Sequence, residues 1–221
     1  MTHNPIRVFL FVNGELPEPD KIRTALQNTD YLIAVDGGLR HLVNLGLTPH
    51  MVIGDLDSAD PDAVQRLRLI GVEIRTFPTD KDETDLHLAL DAALELAPDM
   101  IRVVAALGGR LDQTLANIFL LTRPDLAEVD IRLIDGHSEV FLIRKSANFS
   151  GEVGQRVSLL PLNGPVTGIH TEGLRYSLNN GTLFPDNTLG ISNEMNAPTA
   201  RISIQSGLLL CIHETRSVFT K

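Results

Sequence analysis

Through about residue 144 the chain alternates short, nearly continuous apolar runs with longer stretches of helical period, and few folds accommodate that alternation. Strands are expected at residues 7–12, 31–35, 51–53, 72–76, 101–106 and 131–134. Several are apolar throughout rather than at every second position, as in strands buried on both faces. Helices are expected between them at 19–28, 39–45, 61–70, 83–96 and 111–121, with Asp60 as an N-cap ahead of Pro61 at the first helical position. The pattern predicts an α/β unit, an open and mostly parallel sheet with helices on both faces. Beyond residue 144 the texture changes to short alternating segments at 156–160, 166–171, 174–178, 200–205 and 208–213, separated by turns rich in Gly, Asn and Pro. An antiparallel β-sandwich is expected there. The Ser-, Asn- and Gly-bearing stretch 145–154 marks the boundary, giving domains 1–145 and 146–221.

Charge and cysteine content remove several classes of function. With 28 acidic against 19 basic residues the formal net charge is −9, which argues against nucleic acid as a partner. Cys211 has no second cysteine to pair with, and no Cys/His cluster has zinc spacing, so a cytoplasmic protein is expected. The apolar run at 8–12 is too short for a signal peptide or a membrane span.

Ligands of open α/β sheets bind beyond the carboxyl ends of the strands, so the residues just past each strand carry the chemistry. Four ends are acidic or glycine-rich: Asp36-Gly37-Gly38, Gly54-Asp55-Leu56-Asp57-Ser58, the segment 77–85 ending Lys81-Asp82-Glu83-Thr84-Asp85, and Gly108-Gly109-Arg110-Leu111-Asp112-Gln113. Carboxylates crowded together repel unless a cation compensates. Magnesium suits Asp55, Asp57 and Asp85, because it takes one or two protein carboxylates together with phosphate oxygens and water, and it would bridge ATP to the sheet edge. Gly37-Gly38 and Gly108-Gly109 stand before helices, where backbone amides can approach phosphate. Arg110 adds a planar cation, and Asp112 could hold that guanidinium or reach the metal or the acceptor.

Each loop also has a plainer reading. Segment 82–85 could be a helix start capped by Asp82, Gly54–Ser58 an Asx turn, and Gly108-Gly109 a tight strand-to-helix turn. His41, His50, His87 and His213 read as surface or satisfied, partly buried side chains, and Cys211 as part of an apolar strand. Neither a Gly-x-Ser-x-Gly elbow nor a P-loop motif is present.

The ordered set Asp-Gly-Gly at 36–38, Gly-Asp-Leu-Asp-Ser at 54–58, Lys-Asp-Glu-Thr-Asp at 81–85 and Gly-Gly-Arg-Leu-Asp-Gln at 108–113 resembles the motif series of the thiamine pyrophosphokinases. Residues 171–178 and Gly190-Ile191-Ser192-Asn193-Glu194 resemble the C-terminal segments of that family, so the likeness spans nearly the whole chain. The resemblance implies an N-terminal nucleotide-binding catalytic domain, a C-terminal β-sandwich for thiamine binding and dimerisation, and a homodimer with its active site at the subunit interface. The implied reaction is ATP plus thiamine giving AMP plus thiamine diphosphate. By motif, Asp55, Asp57 and Asp85 would hold magnesium; Arg110, Asp112 and Gln113 would lie along the triphosphate and the reacting centre; and Tyr176, Ser192 and Asn193 would serve the thiamine pocket. Asp36, Gly37, Gly38, Asp82 and Gly109 join the ATP-binding set. Lys81, which stands where animal members carry Gln, could add a point charge for phosphate or be a solvated loop lysine. Tyr176 stands where those members carry Trp.

The implied chemistry is attack of the thiamine hydroxyl on the β-phosphorus of ATP, with Asp85 or Asp112 as proton acceptor. The alternatives are a pyrophosphokinase for another heterocyclic alcohol, such as a hydroxymethylpterin, and a non-catalytic nucleotide or thiamine sensor.

Overall fold

The computed structural model describes residues 5–56 and 61–215. The chain divides into two compact units, Met1–Asp135 and Gly136–Lys221.

In the first unit the elements run β1 (Arg7–Phe11), α1 (Pro19–Ala25), β2 (Tyr31–Val35), α2 (Leu39–Asn44), β3 (Met51–Gly54), α3 (Pro61–Leu69), β4 (Glu73–Thr76), α4 (Asp85–Leu94), β5 (Met100–Val104), α5 (Leu111–Leu120) and β6 (Asp130–Ile134). The sheet order is β4-β3-β2-β1-β5-β6, and every pairing is parallel. Val8 lies opposite Tyr31 on one flank and Ile101 on the other. Val8, Phe9, Leu10 and Phe11 are all buried, which accounts for the unbroken apolar run in the sequence. The helix α4 starts later than the sequence period suggests. Thr84, not Asp82, is its N-cap, with Oγ1 accepting from the His87 amide at 3.3 Å, so Asp82 and Glu83 stay outside the helix. The Asp60 cap expected for α3 lies outside the described residues.

The second unit comprises β7 (Ser138–Ile143), β8 (Ser146–Ser150), β9 (Arg156–Glu172), β10 (Gly181–Leu183), β11 (Asn193–Glu194), β12 (Thr199–Ser203) and β13 (Ser206–Glu214), all paired antiparallel. The strand β9 serves both sheets of the sandwich, pairing with β13 and β11 along its first part and with β12 and β10 further on. Phe141, Phe149, Val157, Ile169, Ile202 and Leu209 belong to the core between them.

Three expectations are corrected. The division falls at residues 135/136 rather than 145/146, because β7 pairs with β13 and the supposed boundary stretch is occupied by β8, which pairs with β12. Segments 156–160 and 166–171 are one strand, since the chain passes Gly164 without reversing. Segment 174–178 is not a strand: Gly173 at φ +74° turns the chain, and the Leu178 amide donates to Thr171 Oγ1 at 2.8 Å.

Gly38 has φ −61°, which any residue adopts, but a Cβ there would lie 1.8 Å from the Phe11 carbonyl oxygen. Gly38→Ala is therefore a steric test of how closely α2 enters past the end of β1. It should lower the stability of the unit by roughly 1–3 kcal/mol, read from the midpoint of urea unfolding.

Candidate active site

Strand order reverses between β1 and β5, where crossovers lead away on opposite flanks. A cleft of about 550 Å³ opens there, lined by residues beyond the ends of β1, β2, β3, β4 and β5. All four strand-end loops singled out in the sequence contribute. Asp36, Asp55, Lys81, Asp85, Gly109, Arg110 and Gln113 line it, whereas Gly37, Gly38, Asp82 and Asp112 are not among its described lining residues. Asp57 lies outside the described residues.

Sequence reasoning missed the loop after β1. Asn13, Gly14 and Glu15 line the cleft, as do Arg40 from α2 and Asn117 from α5. The strand-end rule, applied to β1 as to its neighbours, points to the first three. Gly14 is required by proximity, because a Cβ would lie 2.1 Å from the Ala105 carbonyl oxygen. Arg40 donates to the carbonyls of Asn13 and Gly14, both at 2.9 Å, and His41 Nε2 lies 3.0 Å from the Gly14 carbonyl. That carbonyl can only accept, so His41 carries its proton on Nε2. Asn117, itself buried, donates Nδ2 to the Ala106 carbonyl at 2.9 Å and holds the loop that carries Gly108 and Gly109.

The glycines divide by role. A Cβ at Gly37 would meet the Asn13 side chain at 2.5 Å, whereas one at Gly38 would meet the backbone at the end of β1, so packing demands glycine more strictly at Gly38. Gly109 adopts φ +68° with open space where a Cβ would stand, and it lines the cleft. That is the arrangement in which backbone can approach a phosphate. Asp36 adopts φ +47° and packs against Gly54, whose added Cβ would lie 3.0 Å from Asp36 Cα.

Two cations of the cleft are paired with carboxylates. The Lys81 ammonium lies 2.9 Å from Asp85 Oδ1 and donates to the Pro78 carbonyl at 3.1 Å. With its side chain 14% exposed, Lys81 is not the solvated loop lysine of the plainer expectation. Asp85 Oδ1 is itself sealed from solvent, and its compensation is this ion pair rather than a well-aligned hydrogen bond. Arg110 reaches Asp112 with two bonds, at 3.1 and 2.6 Å. Those bonds raise the guanidinium pKa and, with the Gln113 amide, hold the Asp112 carboxyl below the usual carboxylate range. Asp112 is thus paired with Arg110 at the cleft edge.

On the C-terminal unit Tyr176 and Asn193 are brought together. Asn193 Oδ1 accepts from the Tyr176 amide at 3.0 Å, and its Nδ2 donates to the Tyr176 carbonyl at 2.7 Å. The neighbouring Ser192 has φ +60°, and its amide donates to Ser158 Oγ at 3.1 Å. His50 accepts from the Leu32 amide on Nδ1 at 3.0 Å, and His213 meets Gln155 Oε1 at 2.9 Å deep in the second unit. His50 is exposed at the surface and His213 is buried, and both are structural side chains, while Cys211 is fully buried in β13.

A family model described as "Thiamin pyrophosphokinase, catalytic domain" matches residues 22–133, and one described as "Thiamin pyrophosphokinase, vitamin B1 binding domain" matches residues 142–209. The chain is similar to the thiamine pyrophosphokinase of Bacillus subtilis (strain 168), with 34% identity over 185 residues covering 83% of this chain and 86% of the relative. Similarity to thiamine pyrophosphokinase 1 of Oryza sativa subsp. japonica is 29% over 181 residues, covering 77% and 68%. Among solved structures, thiamine pyrophosphokinase from Bacillus subtilis superposes with a TM-score of 0.84 at 28% identity, covering 96% of this chain and 100% of that one. Thiamin pyrophosphokinase from Geobacillus thermodenitrificans gives 0.83 at 26%, covering 97% and 100%.

Burial lowers the His41 pKa below its ordinary 6.5, with the adjacent Arg40 contributing. The unfolded chain therefore takes up this proton first as pH falls, so the contribution of neutral His41 is complete above pH 6.5 and declines below it. Urea midpoints should drop on acidification from about pH 7 to about pH 5. His41→Gln, which keeps a donor for the Gly14 carbonyl, should flatten part of that drop.

Proposed function

The chain belongs to the thiamin pyrophosphokinase family, and on that premise we propose which of its residues carry the transfer of a pyrophosphoryl group from ATP to the hydroxyl of thiamine. The acceptor is thiamine rather than another heterocyclic alcohol, and the chain is an ATP-dependent enzyme rather than a sensor. The observation that carries the residue assignment is the convergence of Asp55, Asp85, Lys81 and Arg110 on one cleft at the β1/β5 switch point.

The donor set fits magnesium. Asp55 and Asp85 offer hard carboxylate oxygens to the same cleft, and Asp85 Oδ1, sealed from water, is compensated by a single ammonium. Among the described residues no group of three acids or histidines gathers. Two carboxylates suffice, because substrate phosphates and water complete the shell of this ion. Asp55 and Asp85 would hold it, with Asp57 the third candidate from the motif. A magnesium ion there supplies neutralisation of phosphate charge.

Arg110 pairs with Asp112 through two hydrogen bonds at the cleft edge and serves as a phosphate clamp, with Gln113 beside it in the first turn of α5. Lys81 adds a point charge, and Gly109 leaves room for phosphate oxygens against the backbone. Asp112 is the weaker candidate for proton acceptor, because it stands off the described cleft wall. Asp85 is the stronger candidate for the hydroxyl proton. Tyr176 and Ser192 make up the acceptor surface, and Asn193 belongs to it through the bonds it makes to Tyr176.

The chain is further proposed to act as a homodimer with its active site at the subunit interface. In support, α5 exposes Leu111, Leu115 and Phe119 at i, i+4 and i+8, an apolar stripe that begins between the cleft residues Arg110 and Gln113. A cytoplasmic setting is in keeping with a fold that has one buried cysteine and no disulfide. No helix among the described residues is long and apolar enough to cross a membrane.

Incubation with ATP, magnesium and thiamine should yield AMP and thiamine diphosphate in equal amounts, and ADP as the product would refute pyrophosphoryl transfer. Chelation of the metal should stop the reaction, and Asp85→Asn should slow it at least about 100-fold with the fold intact by circular dichroism. Light scattering should give twice the chain mass for the unmodified protein. Leu115→Glu should shift it towards the monomer.

A further inference from the structure

A polar cluster outside the cleft joins residues 175–176 to 193–194. Asn193 Oδ1 accepts from the amides of Tyr176 and Glu194 at 3.0 and 2.9 Å, while Nδ2 donates to the Tyr176 carbonyl at 2.7 Å. Three of the four hydrogen bonds open to a primary amide are thereby spent on backbone. Beside them Arg175 pairs with Glu194 at 2.9 Å, and its guanidinium carbon stands 5.4 Å from the centroid of the Tyr176 ring. The ring itself belongs to a residue 60% exposed.

We infer that Asn193 is a positioning residue that acts through Tyr176, and not a ligand of the acceptor. Its side chain satisfies both backbone polar groups of Tyr176, as a neighbouring strand would, and so fixes the direction in which the ring leaves the chain. An exposed aromatic without such a clasp would be spread over several rotamers. Arg175, anchored by Glu194, covers one face of the ring and leaves the other for an acceptor. Thiamine carries a cationic thiazolium, which suits a tyrosine face, and Glu194 offsets the charge of Arg175 that would otherwise repel it. This inference rests on Tyr176 belonging to the thiamine-binding surface proposed for the chain.

A double-mutant cycle tests it. Asn193→Ala should raise the thiamine KM about tenfold and leave the ATP KM within about twofold. In a Tyr176→Ala background the same substitution should change the thiamine KM by less than about twofold, because the residue through which it acts is gone. Additive effects would show that Asn193 touches the acceptor directly and would overturn the inference. If Asn193→Ala lowers the melting temperature, Asn193→Asp provides the same cycle, since it keeps the Oδ acceptor and opposes only the bond to the Tyr176 carbonyl.

A binding readout is available without turnover. The chain has two tyrosines and no tryptophan, so Tyr31→Phe leaves Tyr176 as the sole fluorophore of its class. Thiamine should quench that emission, and Asn193→Ala should shift the midpoint by the same factor as KM; an unmoved midpoint would also overturn the inference. Failure of the unmodified protein to form thiamine diphosphate would instead count against the thiamine reading itself.

Discussion

Parallel pairing of β1 with β2 on one flank and β5 on the other, with both faces buried, fixes the rest of the N-terminal unit. A strand so enclosed can expose only its ends, and the reversal of strand order at its carboxyl end separates the crossovers there. The loops must then pass closely over the strand ends. Gly14 runs against Ala105 and Gly38 against Phe11 at distances that no Cβ could occupy. The cleft is a consequence of strand order, and the glycines around it mainly allow the backbone to reach it.

Much of this unit was legible because β1, β2 and β3 are apolar at nearly every position, and a parallel sheet covered on both sides accounts for such runs. The second unit was harder to read. The two apolar segments flanking Gly164-Pro165 look like a hairpin, yet they form one strand whose register against β13 shifts between Ser206 and Leu208. Whether a glycine turns a chain or only bends it is decided by which partners lie alongside, and that information is spread over distant positions. β7 and β8 were overlooked for a related reason. β7 is buried at half its positions and β8 is mostly exposed, and their pairing with β13 and β12 identifies them as strands.

The site was legible in its charges and obscure in its partners. The loops just past the strands supply Asp36, Asp55, Lys81, Asp85, Gly109, Arg110 and Gln113, because the geometry of the sheet itself gathers strand ends. Asn13-Gly14-Glu15 lies just past the central strand and obeys the same rule, but without an aspartate cluster it draws no notice. Arg40 could not have been found this way. Its partners are the Asn13 and Gly14 carbonyls, which a sequence does not display. Asp82 and Asp112 show the converse: an acid beside a motif can be an exposed loop residue or the anchor of a neighbouring arginine, and only placement separates these from a ligand.

A chain of net charge −9 would be a poor host for ATP if net charge decided the matter, but charge at a distance counts for little. Salt screens exposed charges beyond about 8–10 Å, so the field that a polyanion meets is that of the cleft and not of the whole surface. There Arg40, Lys81 and Arg110 are each held by protein groups: two backbone carbonyls, the Asp85 carboxylate and the Asp112 carboxylate. A cation already fixed in direction loses less side-chain entropy when phosphate arrives than a solvated one would. In the proposed assignment, carboxylates that nominally oppose an anion orient the donors that would receive it. The acidity of the chain and its affinity for a triphosphate are compatible because pairing at the site, rather than net charge, sets the local balance.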